Sequence, residues 1–378
     1  MMRMRRLILS SLFLALAASP LAAEDEVVDP GQATAGDDDL QWYDVRTVQM
    51  EGQGWTETAA PFDRFPARAE DLVRDVVWNL SRHSAGICAR FVTDATSLSV
   101  RWTLTSARLE MSHMPATGVS GVDLYVRDDE GAWRWLANGR PSGQSTTAKL
   151  FDGIPGRREY RLYFPLYNGV TGVEIGLPEG ATLWKPESMG DPIVFYGTSI
   201  TQGGCASRPG MVHTAILGRR LERPVINLGF SGNGRMELEV AGLMAELPAA
   251  VYVIDCLPNI GADEVTERTE PLVKTLREAR PDVPIILVED RSYSDAFLNR
   301  SKRNRNDTSR AALHEVYSRL RRADVPKLYY LAGEDMLGQD NEGTVDSSHP
   351  TDLGFMRQAD AFEPVLREAL GLRSRSRQ

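Results

Sequence analysis

The chain has 378 residues, of which 42% are hydrophobic and 25% are charged, and its formal net charge is −9. This length predicts about two domains, with enough aliphatic residues for a sizeable core. The acidic balance argues against nucleic acid or an anionic membrane surface as a partner.

The beginning of the chain has the pattern of a secretory signal. A basic head precedes an apolar run from Leu7 to Ala18, and small residues follow as far as Ala22 and Ala23. The apolar run is too short to span a bilayer, so we expect residues 1–23 to be a signal peptide. The mature protein is then periplasmic or extracellular, with no membrane association after cleavage.

Two further stretches lack the pattern of folded structure. Residues 24–41 are acidic and poor in large apolar side chains, which is typical of a disordered linker. The final residues, 373–378, read RSRSRQ and are predicted to be a disordered tail.

Residues 42–186 have the pattern of short strands. Alternating, β-branched or aromatic runs occur in RFVTDATSLSVRWTLTS, GVDLYVRDDEGAWRWLANG and GVTGVEIGLPEGATLW, with Gly, Asp, Asn and Pro turns between them. No helical periodicity of comparable length is visible there. We therefore expect an antiparallel β-sandwich domain.

From residue 190 to 372 the pattern changes to buried strands that alternate with amphipathic helices. Apolar strands recur in PIVFYGTS, PVINLGF, AAVYVIDCLP, VPIILVED and PKLYYLAG. Such runs are typical of a parallel sheet that is covered on both faces, which predicts a three-layer α/β domain. Ligands of such domains bind beyond the carboxyl ends of the strands.

Ser199 follows the first strand of this predicted domain. Gly197 and the pair Gly203–Gly204 allow tight backbone turns near a substrate. The alternative is a structural serine at a strand end, and Thr201 departs from the nucleophile-elbow pattern G-x-S-x-G at its last position.

The segment DSSHP follows the fifth strand and contains Asp346 and His349. A spacing of three lets one turn or a compact loop place both side chains on the same side. A carboxylate beside an imidazole fixes its tautomer and stabilises the imidazolium that forms when a serine gives up its proton. The alternative is a capping turn with an exposed histidine.

Candidate oxyanion donors follow the second and third strands. Gly232 in NLGFSGNG can bring a backbone N–H close to a ligand, and Asn259 in DCLPN offers a side-chain amide. Ordinary turns also favour Gly and Asn. The four segments nevertheless follow four strands whose carboxyl ends share one edge of the sheet, so the combination predicts that Ser199 is a nucleophile.

Other residues have weaker patterns. Arg208 and His213 come soon after Ser199 and are candidates for lining the cleft. Trp133, Trp135 and Tyr125 are candidates for an aromatic sugar platform, although aromatic residues in a sandwich more often belong to the core. The chain has no H-E-x-x-H motif and no paired-cysteine spacing, so we expect neither a metal nor a cofactor.

The four segments resemble the four blocks that give the SGNH (GDSL-like) hydrolase superfamily its name. The resemblance extends from about residue 192 to 370 and implies a flavodoxin-like α/β hydrolase domain. It implies that Ser199 attacks an acyl carbon. It further implies that His349 acts as base and then as acid, and that Asp346 orients His349.

The same resemblance implies that the N–H groups of Ser199 and Gly232 and the amide of Asn259 hold the oxyanion. Two departures are visible. Thr198 stands where many members have Asp, at a position outside the triad. The third block usually reads G-x-N-D, whereas this chain has LPNI around Asn259.

The stretch GVDLY, residues 121–125, resembles the G-x-D-L-Y signature of the N-terminal β-domain in a subgroup of secreted bacterial esterases. Similar enzymes often remove acetyl groups from plant polysaccharides. The implied function is a secreted serine esterase for short-chain, O-acetyl esters on a small-molecule or polysaccharide substrate. A lipase or thioesterase of the same superfamily and a non-catalytic carbohydrate-binding protein remain alternatives, and the sequence names neither the sugar nor the oligomeric state.

The three cysteines, Cys88, Cys205 and Cys256, form neither a disulfide framework nor a metal-spaced set. Export permits one disulfide, and buried unpaired thiols are the alternative. Because Cys205 and Cys256 each lie within a few residues of a segment matched to the hydrolase blocks, we hypothesise a disulfide between them.

Overall fold

The structure is a computed structural model that describes residues 25–36 and 39–373. The predicted signal peptide, 1–23, and residues 374–378 of the predicted tail lie outside the described residues. Within the described ranges, no helix is both long and apolar enough to cross a membrane.

Two antiparallel sheets form a sandwich from the first half of the chain. The first sheet has the order β1 (Glu26–Val27), β12 (Leu183–Lys185), β5 (Cys88–Thr93), β10 (Arg158–Tyr163), β7 (Val122–Arg127) and β8 (Trp133–Gly139), with β4 (Gln49–Glu51) beside β5. The second has the order β2 (Thr34–Ala35), β3 (Leu40–Asp44), β11 (Val170–Pro178), β6 (Ser97–Leu104) and β9 (Ser145–Asp152). Two short helices, α1 (Asp75–Ser81) and α2 (Ala116–Val119), lie in the connections. Side chains of both sheets share one buried core, so the predicted sandwich is confirmed.

The prediction of a disordered linker over residues 24–41 is wrong for the part that the structure describes. Strand β1 pairs with β12, and β2 pairs with β3. The Val28 side chain is buried in the sandwich core, and Asp25 is 2.7 Å from the Arg157 guanidinium. Sheet edges expose unpaired backbone groups, and these two-residue strands pair with them through the backbone without needing an apolar run.

The second half of the chain forms one parallel sheet. Its order is β14 (Val225–Gly229), β13 (Ile193–Gly197), β15 (Val251–Asp255), β16 (Ile285–Val288) and β17 (Leu328–Leu331). Every neighbouring pair is parallel, and the order 2-1-3-4-5 is that of flavodoxin-like folds. The predicted fold class is therefore confirmed.

Helices cover both faces of the parallel sheet. They are α3 (Ser199–Gln202), α4 (His213–Leu221), α5 (Leu238–Glu246), α6 (Ala262–Ala279), α7 (Arg300–Arg322) and α8 (Asp352–Ala369). Val194 and Tyr196 of β13 point into the core beneath α5, α6 and α7, whereas Ile193 and Phe195 point into the core beneath α4 and α8. Successive side chains of β13 face opposite sides of the sheet, and both sets are apolar because helices cover both sides.

The segment that precedes β5 does not stay with the sandwich. Phe65 and Trp78 pack in the same core as Phe230 and the parallel sheet. Arg64, only 1% exposed, donates hydrogen bonds to backbone carbonyls of β14. The sequence predicts no helix here, and α1 has only two turns, too few for a clear periodicity. The first half of the chain is thus built into the support of the second.

Candidate active site

Ser199 lies at the carboxyl edge of the parallel sheet, as the first residue of α3 directly after β13. The Thr198 side chain accepts a hydrogen bond from the Ile200 N–H at 3.2 Å and so caps the short helix. The helix ends at Gly203, whose φ of 116° allows the chain to turn away. The serine is thereby held at the rim of the sheet by local structure.

His349 lies in the loop between β17 and α8, and its ring joins the two other residues of the predicted triad. Its Nε2 is 2.8 Å from Ser199 Oγ, and its Nδ1 is 2.7 Å from Asp346 Oδ2. A carboxylate can only accept at Nδ1, so Nε2 is left to accept the serine proton. The structure therefore brings together three side chains that the sequence separates by as many as 150 residues.

The loop that carries the pair also fixes the carboxylate. Asp346 Oδ1 accepts the backbone N–H groups of His349 and Ser348 at 2.7 and 3.1 Å. Ser347 turns the loop with a φ of 74°. Burial raises the pKa of Asp346, but the hydrogen bonds from the backbone and ring of His349 outweigh burial and hold the pKa below its usual value. The carboxylate is consequently ionised at neutral pH.

The candidate oxyanion donors lie on neighbouring loops. Among the described residues, the N–H groups of Ser199 and Gly232 have no hydrogen-bond acceptor. Gly232 has a φ of 69°, a left-handed conformation that favours glycine. The Asn259 side-chain amide donates one of its two hydrogens to the Gly234 carbonyl at 3.3 Å, and the second has no acceptor among the described residues. A Cβ at Gly234 would lie 1.8 Å from the Gly197 carbonyl, so this loop packs directly on the end of β13.

Arg305 holds the turn that carries Asn259. Its guanidinium donates to three carbonyl oxygens of that turn, those of Leu257, Pro258 and Ile260, at 3.2, 2.8 and 3.2 Å. The same group is 2.9 Å from the buried carboxylate of Asp290. The sequence does not mark this residue as functional, because an arginine in a basic amphipathic helix has the pattern of a solvated side chain.

Family models match both halves of the chain. Residues 190–367 match the model of the GDSL-like lipase/acylhydrolase family, and residues 40–183 match the GxDLY model, the N-terminus of SGNH-hydrolase-type esterases. A solved structure described as a GDSL-like lipase from Bacteroides ovatus is 33% identical, covers 89% of this chain and 100% of its own, and has a TM-score of 0.84. The chain belongs to the GDSL-like lipase/acylhydrolase family.

Two more distant solved structures share the fold. The salicylyl-acyltransferase SsfX3 from a tetracycline biosynthetic pathway is 20% identical, with 92% of this chain and 98% of that chain covered and a TM-score of 0.68. A family two carbohydrate esterase from Clostridium thermocellum, in complex with cellohexaose, is 17% identical, with 76% and 93% covered and a TM-score of 0.54. A search of curated proteins found no match.

The G-x-D-L-Y signature of this GDSL-family protein holds the loop that follows the serine. Asp123 accepts hydrogen bonds from the Gly210 N–H at 2.8 Å and from the Arg208 guanidinium at 2.7 Å. The Tyr125 hydroxyl donates to the Gly210 carbonyl at 3.3 Å. A Cβ at Gly121 would lie 2.6 Å from a neighbouring carbonyl oxygen, so only glycine fits there. The signature is an interdomain clamp.

The two residues predicted to line the cleft, Arg208 and His213, lie in different surroundings. The Arg208 guanidinium donates hydrogen bonds to Asp123 and Tyr125 of the clamp. It also lies over the Trp135 ring, 5.0 Å from the ring centroid. His213 is fully buried among Phe195 and two phenylalanines of α8, and within the described chain neither ring nitrogen has a hydrogen-bond partner. Burial, followed by the charge of Arg291, lowers the pKa of His213 well below its ordinary value. The prediction for His213 is wrong because α4 turns this side chain into the core.

The aromatic platform is not formed as a set of three rings. Tyr125 is buried in the clamp, and Trp133 is partly buried beneath the guanidinium groups of Arg127 and Arg161. Only Trp135, 49% exposed, presents much of its surface. The bulk of this aromatic surface therefore packs inside the protein.

The hypothesis of a disulfide between Cys205 and Cys256 is wrong. All three cysteines of the chain are free and buried. Cys205 lies in the core beneath α4 and α8, whereas Cys256 lies in the core on the opposite face of the sheet. Burial, with a smaller effect of the Asp346 charge, raises the pKa of Cys205 to about 12, so its thiol is unreactive at neutral pH.

Tyr167 is a residue of the sandwich half that sequence analysis missed. Its hydroxyl donates to the Ser199 carbonyl at 3.2 Å. A Cβ at Gly204 would lie 3.0 Å from this hydroxyl and 3.2 Å from His349 Cδ2, so a side chain there would crowd both rings. No motif marks this tyrosine, since its partner is distant in the sequence.

Proposed function

We propose that this member of the GDSL-like family is a serine esterase with Ser199, His349 and Asp346 as its catalytic triad. The observation that carries the proposal is the unbroken chain of hydrogen bonds from Ser199 Oγ through the imidazole to the carboxylate, 2.8 and 2.7 Å long. Ser199 is 8% exposed. It lies at the carboxyl edge of the parallel sheet, which is where such sheets bind their ligands.

Each residue has a defined step in this proposal. His349 Nε2 takes the proton of Ser199 Oγ as the oxygen attacks the acyl carbon, and Asp346 stabilises the imidazolium. The carbonyl π electrons move onto oxygen, which the free N–H groups of Ser199 and Gly232 and the amide of Asn259 stabilise. The imidazolium then protonates the departing alkoxide, which leaves an acyl-enzyme. Water, activated by the same imidazole, hydrolyses it.

The proposed substrate is a short-chain ester, an O-acetyl group on a small sugar or a polysaccharide, met in the periplasm or outside the cell. The fold shared with a carbohydrate esterase in complex with cellohexaose supports this class of substrate. The acidic composition supports a neutral partner over nucleic acid or an anionic membrane. No step of the proposed reaction requires a cofactor.

The proposal is tested by hydrolysis of nitrophenyl esters. Ser199→Ala is expected to abolish hydrolysis and leave thermal unfolding unchanged, whereas Ser142→Ala, at an exposed serine of the sandwich, is expected to keep full activity. Unchanged turnover by Ser199→Ala would refute the nucleophile.

The acyl and sugar preferences need separate assays. Preference for nitrophenyl acetate over the octanoate supports a short-chain esterase, and the reverse preference supports the lipase or thioesterase alternative. Acetate release from acetylated xylan, mannan, pectin and simple sugars then identifies the sugar. Binding of such a polymer without any hydrolysis would support the non-catalytic alternative.

A further inference from the structure

The side chain of Gln202, in the helix that begins with Ser199, connects two parts of the site. The residue is fully buried. Its Oε1 accepts the backbone N–H of Ser231 at 3.0 Å, and its Nε2 donates to the Leu166 carbonyl at 3.1 Å. Nε2 is also 3.1 Å from His83 Nδ1. One amide thus links the sandwich half of the chain to the residue immediately before Gly232.

The partners leave only one arrangement of the protons. A backbone N–H can only donate and a carbonyl can only accept, so the orientation of the Gln202 amide is fixed by Ser231 and Leu166. Its second N–H must then go to His83 Nδ1, which has to be unprotonated. Burial, followed by the charge of Arg64, lowers the pKa of His83 to about 4, which agrees with a neutral ring at neutral pH.

Ser231 is held on both sides of its backbone. Its N–H is bound by Gln202, and its carbonyl accepts the Asn233 side-chain amide at 2.9 Å. That carbonyl belongs to the same planar, trans peptide as the Gly232 N–H, and the two groups point in opposite directions. Fixing the carbonyl against Asn233 therefore fixes the direction of the Gly232 N–H, which has no acceptor in the described part of the chain.

The histidine end of the link is also anchored. Arg64 Nε donates to the His83 carbonyl at 2.8 Å, and its Nη1 donates to the carbonyls of Asn227 and Gly229 at 2.9 and 2.7 Å. These two carbonyls lie in β14, which leads into the Gly232 loop. A single buried guanidinium therefore sets the position of His83 relative to that loop.

We propose that His83 and Gln202 are positioning residues for the oxyanion hole: the imidazole from the sandwich half orients the Gln202 amide, which holds the peptide that presents the Gly232 N–H. The inference rests on the proposed esterase function. Their effect is expected when negative charge develops on the carbonyl oxygen, since preorganised donors act on the transition state.

The test compares His83→Leu, which removes the acceptor at Nδ1, with His83→Asn, whose carboxamide oxygen can replace it. With nitrophenyl acetate, His83→Leu is expected to lower kcat by about 10- to 100-fold and to change KM by less than about twofold. His83→Asn is expected to recover most of kcat. The same leucine substitution at exposed His314 of α7 is the matched control and should leave both constants unchanged.

A trifluoromethyl ketone separates positioning from general damage. Ser199 Oγ adds to its carbonyl carbon while the proton moves to His349, and the adduct carries an oxyanion. Affinity for this inhibitor should fall in His83→Leu by the same factor as kcat, while the acid limb of the pH–rate profile stays in place because the triad is intact. Gln202→Met should reproduce the pattern, and the double variant should lose no more than either single variant.

The outcomes distinguish the two proposals. A wild-type protein without Ser199-dependent hydrolysis would overturn both the esterase function and this inference. Ser199-dependent hydrolysis with kcat and inhibitor affinity unchanged in His83→Leu and Gln202→Met would overturn the inference alone. The inference would also be overturned if His83→Leu lowered thermal stability and kcat and raised KM together, and if His83→Asn recovered none of them. That is the pattern of a purely structural role.

Discussion

The two halves of the chain contribute to the candidate site in different ways. The parallel-sheet half supplies every group proposed to react: the serine, the imidazole, the carboxylate and the oxyanion donors. The sandwich half supplies groups that hold these in place: the clamp of Asp123 and Tyr125, the Tyr167 hydroxyl on the Ser199 carbonyl, and His83 behind Gln202. The sandwich half is therefore part of the frame of the candidate site.

The difference also appears in how each half is tied to the site. The groups proposed to react are held mainly by local structure, such as the capped start of α3 and the tight loop around Ser347. The holding groups act across large sequence separations, 87 residues for Asp123 and Gly210 and 119 for His83 and Gln202. Substitutions in the first set should therefore affect chemistry, and those in the second should affect stability or geometry.

The largest expected effect is on chemistry alone. Asp346→Asn keeps the shape of the side chain but removes the charge and allows the wrong imidazole tautomer, so we expect kcat to fall by about 10⁴-fold. The thermal midpoint should change little, because the carboxylate is half-exposed and lies in a surface loop. Asp340→Asn, at an exposed carboxylate paired with Arg357, is the control and should keep full activity. A variant Asp346→Asn with near-normal kcat would remove Asp346 from the triad.

A smaller effect, on stability, is expected in the sandwich half. Asp123 is fully buried and 2.7 Å from the Arg208 guanidinium. Asp123→Ala leaves that charge without its partner and is expected to cost about 3–5 kcal/mol in free energy of unfolding, measured by chemical denaturation.

The matched control is an ion pair at the surface of the same half. Asp128 is 2.6 Å from the guanidinium of Arg134, whose side chain is mostly exposed. Asp128→Ala is expected to cost much less free energy of unfolding than Asp123→Ala, because solvent screens exposed pairs. Equal costs for the two substitutions would show that the clamp does not stabilise the junction of the two halves.

The same contrast explains which features the sequence could predict. Side chains at the carboxyl ends of parallel strands share one edge of the sheet, so recognising four strands was enough to bring Ser199, Gly232, Asn259 and the Asp–His loop to the same edge. No long-range contact had to be known for that. The fold class followed from strand patterns of the same local kind.

Features that depend on packing direction or on distant pairs could not be predicted. Cys205 and Cys256 are both close to the site in sequence, but they enter cores on opposite faces of the sheet. His213 follows the serine closely, yet its helix turns the ring inward. Arg64 and Arg305 donate mainly to backbone carbonyl oxygens, and a carbonyl carries no sequence signal.

The smallest expected effect concerns the buried ring of His213 and its dependence on pH. Burial and the charge of Arg291 place the folded-state pKa well below the ordinary value. Above a pH of about 6.5 neither the folded nor the unfolded state protonates this ring. Below it, the unfolded state binds a proton that the folded state does not, so the free energy of unfolding of the wild type falls with decreasing pH.

His213→Leu removes this loss of stability at low pH. It also removes two buried ring nitrogens that have no hydrogen-bond partner in the described structure. The stability of the variant relative to wild type should therefore grow by about 1 kcal/mol per pH unit below 6.5. Urea denaturation between pH 5 and 8 measures the difference, with His314→Leu as the baseline for an exposed histidine. A constant difference over that range would mean that the ring is protonated within the folded protein, which the phenylalanine cage around it makes unfavourable because a buried charge there has no partner.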